Sequence, residues 1–500
     1  MNKIIFSNII ENGEFKGIKV QDILFYFQII FAAIILWHTG RLIVFDPNMG
    51  DSPSYLLFPF SPFSELLSSH RTFGLPLVLR IYNFFFENLD WWPFFQVTIY
   101  FSSIFYFYKT LNHPKFSSHL SILICSGLLW NPATFSNFRY VETHAMAATF
   151  HILAIAFLFR VVILGGKKNF AMLGLIVFFL WQIRPNMAIF LLLLPLWGFF
   201  TMILITRINY KKSIYLSSKL FLLCLAPILI WCSLRYFIVG DFGLASYSGT
   251  VSAGQAIGYL KKSHIPKLDG KVKTLANEIL TRKQNLDYPC NQFENITLEQ
   301  ADKCEGAYIM IGHLSTIYLD KNLEPFPDNP EKNRMPWLHA NLSSFFSINN
   351  VIYNDWLKQF SRAIVKMETG KFKDRLFYEL KKAFRFYIRL FFDHNIYLSL
   401  VLINFFIFTI TKFTSHIVIQ NSDYIINDTV KSNRELLLFW IITISIIFVG
   451  VFSIAGLLHL QYRYLLQFAF MLLSTLFLHA LPSPNVRSII MQKIKQSYLN

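Results

Sequence analysis

A chain of 500 residues with 54% hydrophobic, 17% aromatic and only 15% charged residues is not a soluble globular protein, since such proteins carry about 25% charged residues. Its apolar residues, 54 phenylalanines among them, come in long blocks, which places it among the polytopic α-helical membrane proteins. The net charge of +17 then orients spans; no basic, aromatic-interleaved patch points to nucleic acid, and none is expected as a partner.

In chain order, residues 1–21 are polar and mixed in charge and contain no apolar core followed by a small-residue cleavage site, so no removable signal peptide is expected. The first span is predicted over 23–45. The loop 46–90 is too long for a turn, and within it 61–67 and 75–86 read as amphipathic helices in the membrane interface. Trp91 and Trp92 mark the headgroup level at the start of the second span, to about 108. A third span over 119–135 leads to a polar turn, 136–144, with Arg139, Tyr140 and Glu142. A fourth follows over 145–164. The apolar runs 170–183 and 187–205 meet at I-R-P-N, which contains Arg184, and 214–239 is the seventh run.

From 240 to 382 the chain is polar and long enough for a small domain, and such loops on membrane proteins are usually functional. Three final spans are expected over 384–410, 435–458 and 464–481, before a basic tail. Lys and Arg gather in alternate connections: 12–19, 109–115, 167–168, 207–219, 412–434 and the tail. If these face the cytoplasm, then 46–90, 136–144, 184–186, 240–382 and 459–464 all lie outside. The predicted fold is therefore all-α, with about ten spans: a transmembrane module over 1–239, an extracytoplasmic loop domain over 240–382, and C-terminal transmembrane helices over 383–500.

Cys125, Cys224 and Cys232 sit in apolar runs and read as inert core residues. Cys290 and Cys304 share the polar segment, where they are either free thiols or a disulfide if that segment faces an oxidising compartment. Their spacing matches no zinc site. No phosphate-binding loop, dinucleotide turn or metal-ligating cluster occurs, so no direct use of a cytosolic nucleotide and no cofactor is expected, with a divalent metal left as the open alternative.

The residues suited to chemistry lie in the outer connections. Asp51 stands in G-D-S-P-S-Y, just beyond the first span. A carboxylate there, hydrated on one side and facing a cavity on the other, can take a proton from an acceptor hydroxyl; Asp before Ser-Pro is also a good helix N-cap. Asp46, before Pro47, reads as a turn residue and is the alternative base. Tyr55 closes the same motif. His70 and Arg71 open H-R-T-F-G-L-P, and a guanidinium there either pairs with lipid phosphate oxygens or anchors the loop to headgroups. Glu142, in R-Y-V-E-T-H, either assists Asp51 or pairs with Arg139. Arg184 lies within apolar sequence, where a charge usually lines a cavity or forms a salt bridge in the bundle. Arg463, in H-L-Q-Y-R-Y, is placed to bind phosphate or to reach the headgroups.

In these motifs the chain resembles the GT-C-fold glycosyltransferases, polytopic enzymes that use lipid-linked sugars, such as protein O-mannosyltransferases and bacterial aminoarabinose transferases. It is also similar in size and layout to the bacterial glucosyltransferases of serotype conversion. The likeness covers roughly 20–210 and, more weakly, the end of the chain. One departure is Ser52, which stands where the family commonly pairs a second acid with the first. The resemblance implies a GT-C-like bundle in a bacterial inner membrane, with its active site on the periplasmic face. It implies inverting transfer from a polyprenyl-phosphate sugar to a glycan, lipid or protein acceptor, in contact with membrane lipids. Asp51 and Glu142 would be the catalytic acids, and His70, Arg71, Tyr55, Arg184 and Arg463 would hold the substrate and its lipid phosphate. Two other classes compete. An O-antigen polymerase or ligase would depend on Arg282 and Arg334 of the polar segment. A transporter would show inverted repeats and interrupted helices at midplane.

Overall fold

The computed structural model describes residues 14–15, 18–43, 52–113, 116, 118–130, 137–292, 296–319, 349–392, 434–435 and 437–446. Among them the chain is helical, apart from the two-residue strands Glu14–Phe15 and Ile18–Lys19, which pair antiparallel. Helix α1 spans Val20–His38. Its Asp22 accepts from Tyr108 Oη at 2.7 Å and lies 3.7 Å from Lys109 Nζ. Within the expected 46–90 loop, the described residues 52–90 include the helices α2 (Ser52–Leu56), α3 (Phe63–Ser68) and α4 (Gly74–Phe85). On α4, Leu75, Leu79 and Tyr82 are buried, while Ile81, Phe84 and Phe85 face outward.

Helices α5 (Trp92–Leu111), α6 (Ser118–Leu129) and α7 (Thr143–Leu164) follow. Trp92 was expected at the lipid headgroups, but it is fully buried. Its indole N–H donates to Tyr140 O at 3.2 Å and its ring meets Tyr82 edge-on, so a protein carbonyl takes the place of water. On α7, Ala145, Ala147, Ala148, Ala154 and Ala156 are buried, and such small side chains let neighbouring helices approach closely. Helix α8 (Lys167–Ile183) ends because Pro185 disfavours a helical Arg184, which is extended at φ −146°. A 3-10 turn, Pro185–Ile189, leads into α9 (Phe190–Leu204) and then α10 (Tyr210–Val239). Gly240 closes α10 in the left-handed conformation at φ +75°, which a residue lacking Cβ adopts without strain.

By length and composition, three helices among the described residues are long and apolar enough to cross a membrane: Thr143–Leu164, Met187–Leu204 and Tyr210–Val239. Phe25–His38, Gly74–Phe85 and Leu437–Ile446 are shorter apolar helices. The rest of the expected span 384–410 beyond Phe392, residues 447–458 and the expected span 464–481 lie outside the described residues.

The polar segment forms α11 (Ser248–Tyr259), α12 (Gly270–Gln284), α13 (Leu298–Lys303), α14 (Glu305–Leu319), α15 (Asn349–Met367) and α16 (Thr369–Phe392). Buried apolar side chains fall into two clusters. One runs through α1 to α10 and Leu437–Ile446. The other, including Ile257, Tyr308, Leu357 and Phe360, lies within α11 to α15. Cys290 and Cys304 form a disulfide with Cα atoms 5.4 Å apart, while Cys125, Cys224 and Cys232 are buried free thiols.

Candidate functional site

The residues before His70 are held by α10 and by the polar segment. Three consecutive carbonyls accept hydrogen bonds from three separate parts of the chain. Leu67 O accepts from Arg235 Nε at 2.8 Å, Ser68 O from Asn350 Nδ2 at 3.1 Å, and Ser69 O from the Ser246 amide at 3.3 Å. Arg235, fully buried on α10, also donates to Gly243 O, to Asp241 Oδ2 at 2.8 Å and to Ser246 Oγ at 2.6 Å. Lys358 Nζ on α15 lies 3.5 Å from the other Asp241 oxygen. Buried backbone acceptors need partners, and these partners fix the chain entering H-R-T-F-G.

Arg71 then falls between two aromatic rings. Its guanidinium carbon lies 5.0 Å from the Tyr55 ring centre and 5.6 Å from that of Tyr247. Its Nε donates to Ser54 Oγ at 3.1 Å. The His70 ring is 6.0 Å from Tyr247. Ring faces attract a cation by about 0.5–1 kcal/mol each where solvent reaches them. Tyr55, His70 and Arg71, all read from the sequence, thus share one cluster, which Tyr247 completes from the start of the polar segment.

Glu142 and Arg184 meet through His144. Arg184, 4% exposed, reaches from the end of α8 to the start of α7, where its Nη1 lies 3.3 Å from Thr143 Oγ1 and 3.0 Å from His144 Nδ1. A guanidinium only donates, so His144 Nδ1 accepts and its proton sits on Nε2. That nitrogen lies 3.5 Å from Glu142 Oε2. The chain guanidinium, imidazole, carboxylate is therefore polarised in one direction. The preceding turn is fixed by Gln96 Nε2, which donates to Phe138 O at 2.9 Å and to Tyr140 O at 3.2 Å.

Gly74 joins the two groups. A Cβ at this position would lie 2.5 Å from Gln182 C and Ile183 N, so the start of α4 rests directly on the backbone at the end of α8. That contact is three residues from Arg71 and two from Arg184. Asp46, Asp51, Arg334 and Arg463 lie outside the described residues. Arg282 makes an ion pair with Glu278 on its own helix at 2.8 Å. Among the described residues no group of three His, Cys, Asp or Glu side chains is placed to hold a metal.

Sequence reasoning missed His144, Tyr247, Arg235, Asp241, Ser246 and Asn350. Arg235 carried a signal, because a charge inside an apolar run is costly and needs partners. Asn350 carried none, since a neutral amide in a polar stretch is unremarkable. Comparison with protein-family models, curated proteins and solved structures found no match for this chain.

Proposed function

We propose that the chain is an integral membrane glycosyltransferase that moves a sugar from a polyprenyl-phosphate donor to an acceptor on the extracytoplasmic side. The observation that carries this reading is the close connection of the Tyr55–Arg71–Tyr247 cluster to the Glu142–His144–Arg184 chain through Gly74. Two guanidinium groups and a carboxylate backed by an imidazole suit a reaction with an anionic leaving group and a hydroxyl nucleophile. The Cys290–Cys304 disulfide supports an oxidising compartment for the polar segment. In the proposed reaction a carboxylate, Asp51 with Glu142 as its partner, accepts the acceptor hydroxyl proton. The oxygen forms a bond to the anomeric carbon as the bond from that carbon to the phosphate oxygen breaks. The departing polyprenyl phosphate takes the electron pair, and Arg71 and Arg184 stabilise its charge. The polar segment covers the site and selects the acceptor.

The test is sugar transfer from labelled polyprenyl-phosphate sugars in membranes carrying the wild type, Asp51→Asn, Glu142→Gln or Arg71→Ala at equal expression. Transfer that requires the protein, falls about 100-fold or more in Asp51→Asn and loses donor affinity in Arg71→Ala is the expected result. Wild-type levels in Asp51→Asn would move the base to Asp46 or Glu142. No transfer from any such donor by the wild type overturns the reading.

A further inference from the structure

Helix α16 packs on the polar segment through Phe372, which meets the Tyr259 ring, and through charged groups. Arg375 is buried and donates to Glu305 Oε2 at 2.9 Å, Glu379 lies 3.9 Å from the same guanidinium, and Lys382 pairs with Asp302. Its outward side mixes apolar and charged groups: Phe377 is 70% exposed and Leu376 44%, and Asp374 is exposed beside them. Lys373, Lys381 and Arg385 are exposed as well. Positions 373, 377, 381 and 385 are spaced by four and so form one stripe along the helix, in which a phenylalanine is flanked by cations.

A stripe of this kind does not suit water, which leaves Phe377 and Leu376 unburied, nor a dry protein contact, which strips the cations of solvent. It suits the boundary between acyl chains and anionic headgroups, where the rings enter the chains and each Lys or Arg is attracted by the negative surface. The chain beyond the helix is also apolar in sequence over 396–410, so α16 leads toward lipid. We propose that the outer stripe of α16 seats the polar segment on an anionic lipid leaflet, with Phe377 and Leu376 at the acyl boundary and Lys373, Lys381 and Arg385 on lipid phosphates. This contact does not depend on the sugar-transfer reaction.

The test uses the full-length protein with a nitroxide attached at Phe377→Cys, or at Glu299→Cys as a control on the polar segment. Signal from the unmutated labelled protein is subtracted. Each sample is reconstituted in phosphatidylcholine vesicles with or without a quarter of phosphatidylglycerol. At position 377 in the anionic vesicles, oxygen is expected to relax the label several-fold more than a water-soluble nickel chelate, with the reverse at 299. Replacing Lys373, Lys381 and Arg385 together with Gln is expected to raise nickel access at 377 several-fold. Three results would overturn the proposal: nickel access at 377 equal to that at 299, exclusion of both relaxants as under a second copy or another protein, or a lipid-exposed label indifferent to phosphatidylglycerol and to the triple substitution.

Discussion

Lys283 is a cation enclosed by the core of the polar segment. Its side chain is fully buried, donates to Ile257 O at 3.0 Å and lies 5.0 Å from the Tyr308 ring centre. Burial pushes its pKa down to about 7. The folded value is below the unfolded one, so between about pH 7 and pH 10.5 the unfolded chain binds the extra proton and stability rises with pH. Below pH 7 both states are charged and the full penalty of burial remains. Lys283→Met removes the charge but leaves the Ile257 carbonyl without this donor, so a net gain of about 1–2 kcal/mol is expected at pH 6. The gain should shrink toward pH 10. Hydrogen exchange across α11 to α15 of the full-length protein, followed against pH, measures both effects; an unchanged slope in Lys283→Met would refute the assignment. At this scale Arg184 was legible because a charge in apolar sequence must have partners. His144 was not, because its role depends on the separation of its two ring nitrogens from Glu142 and Arg184.

At the scale of elements, the contact of α4 with α8 leaves no room for a side chain at Gly74. Gly74→Ala forces backbone to move against backbone, at about 1–3 kcal/mol, and shifts the His70–Arg71 segment away from Arg184. Under the proposed sugar transfer, the expected result is a modest loss of thermal stability with a larger loss of binding of the polyprenyl-phosphate donor. A variant with lowered stability and undiminished donor binding would separate this contact from the site. Helices 145–164 and 75–86 were readable within a few residues of α7 and α4, since a long apolar run marks the first and an amphipathic pattern carrying Arg80 and Asn83 marks the second. The fit of α4 onto α8 was not readable: Gly74 reads equally as an ordinary helix start, and only the opposing backbone reveals why a side chain is excluded.

For the whole molecule, the bonds to Ser68 and Ser69 couple the apolar bundle to the polar segment, while Arg235 of α10 holds Leu67. Asn350→Ala removes the Ser68 partner without adding a charge, and an orphaned buried carbonyl costs about 1–3 kcal/mol. Amide exchange over 69–73 is expected to accelerate while α7 to α10 remain protected. Arg235→Met is expected to be harsher, about 3–5 kcal/mol, because it leaves Asp241 buried without its main counter-charge. If exchange over 69–73 stays slow in Asn350→Ala, the polar segment does not hold this loop. The long apolar helices and the polar character of 240–382 were legible from composition alone. The coupling was not, because it joins residues 282 positions apart through uncharged groups.

The same three bonds set an order of events during synthesis. His70 and Arg71 leave the ribosome early, but the donors to the carbonyls before them arrive at 235, 246 and 350. Contacts this distant in sequence form late, since the intervening loop must close first. The nascent bundle therefore carries His70 and the cationic Arg71 on an unclamped loop until α15 has been made and has folded back. A chain stopped before residue 350 would contain its early helices and still lack the full clamp on the loop that carries His70 and Arg71.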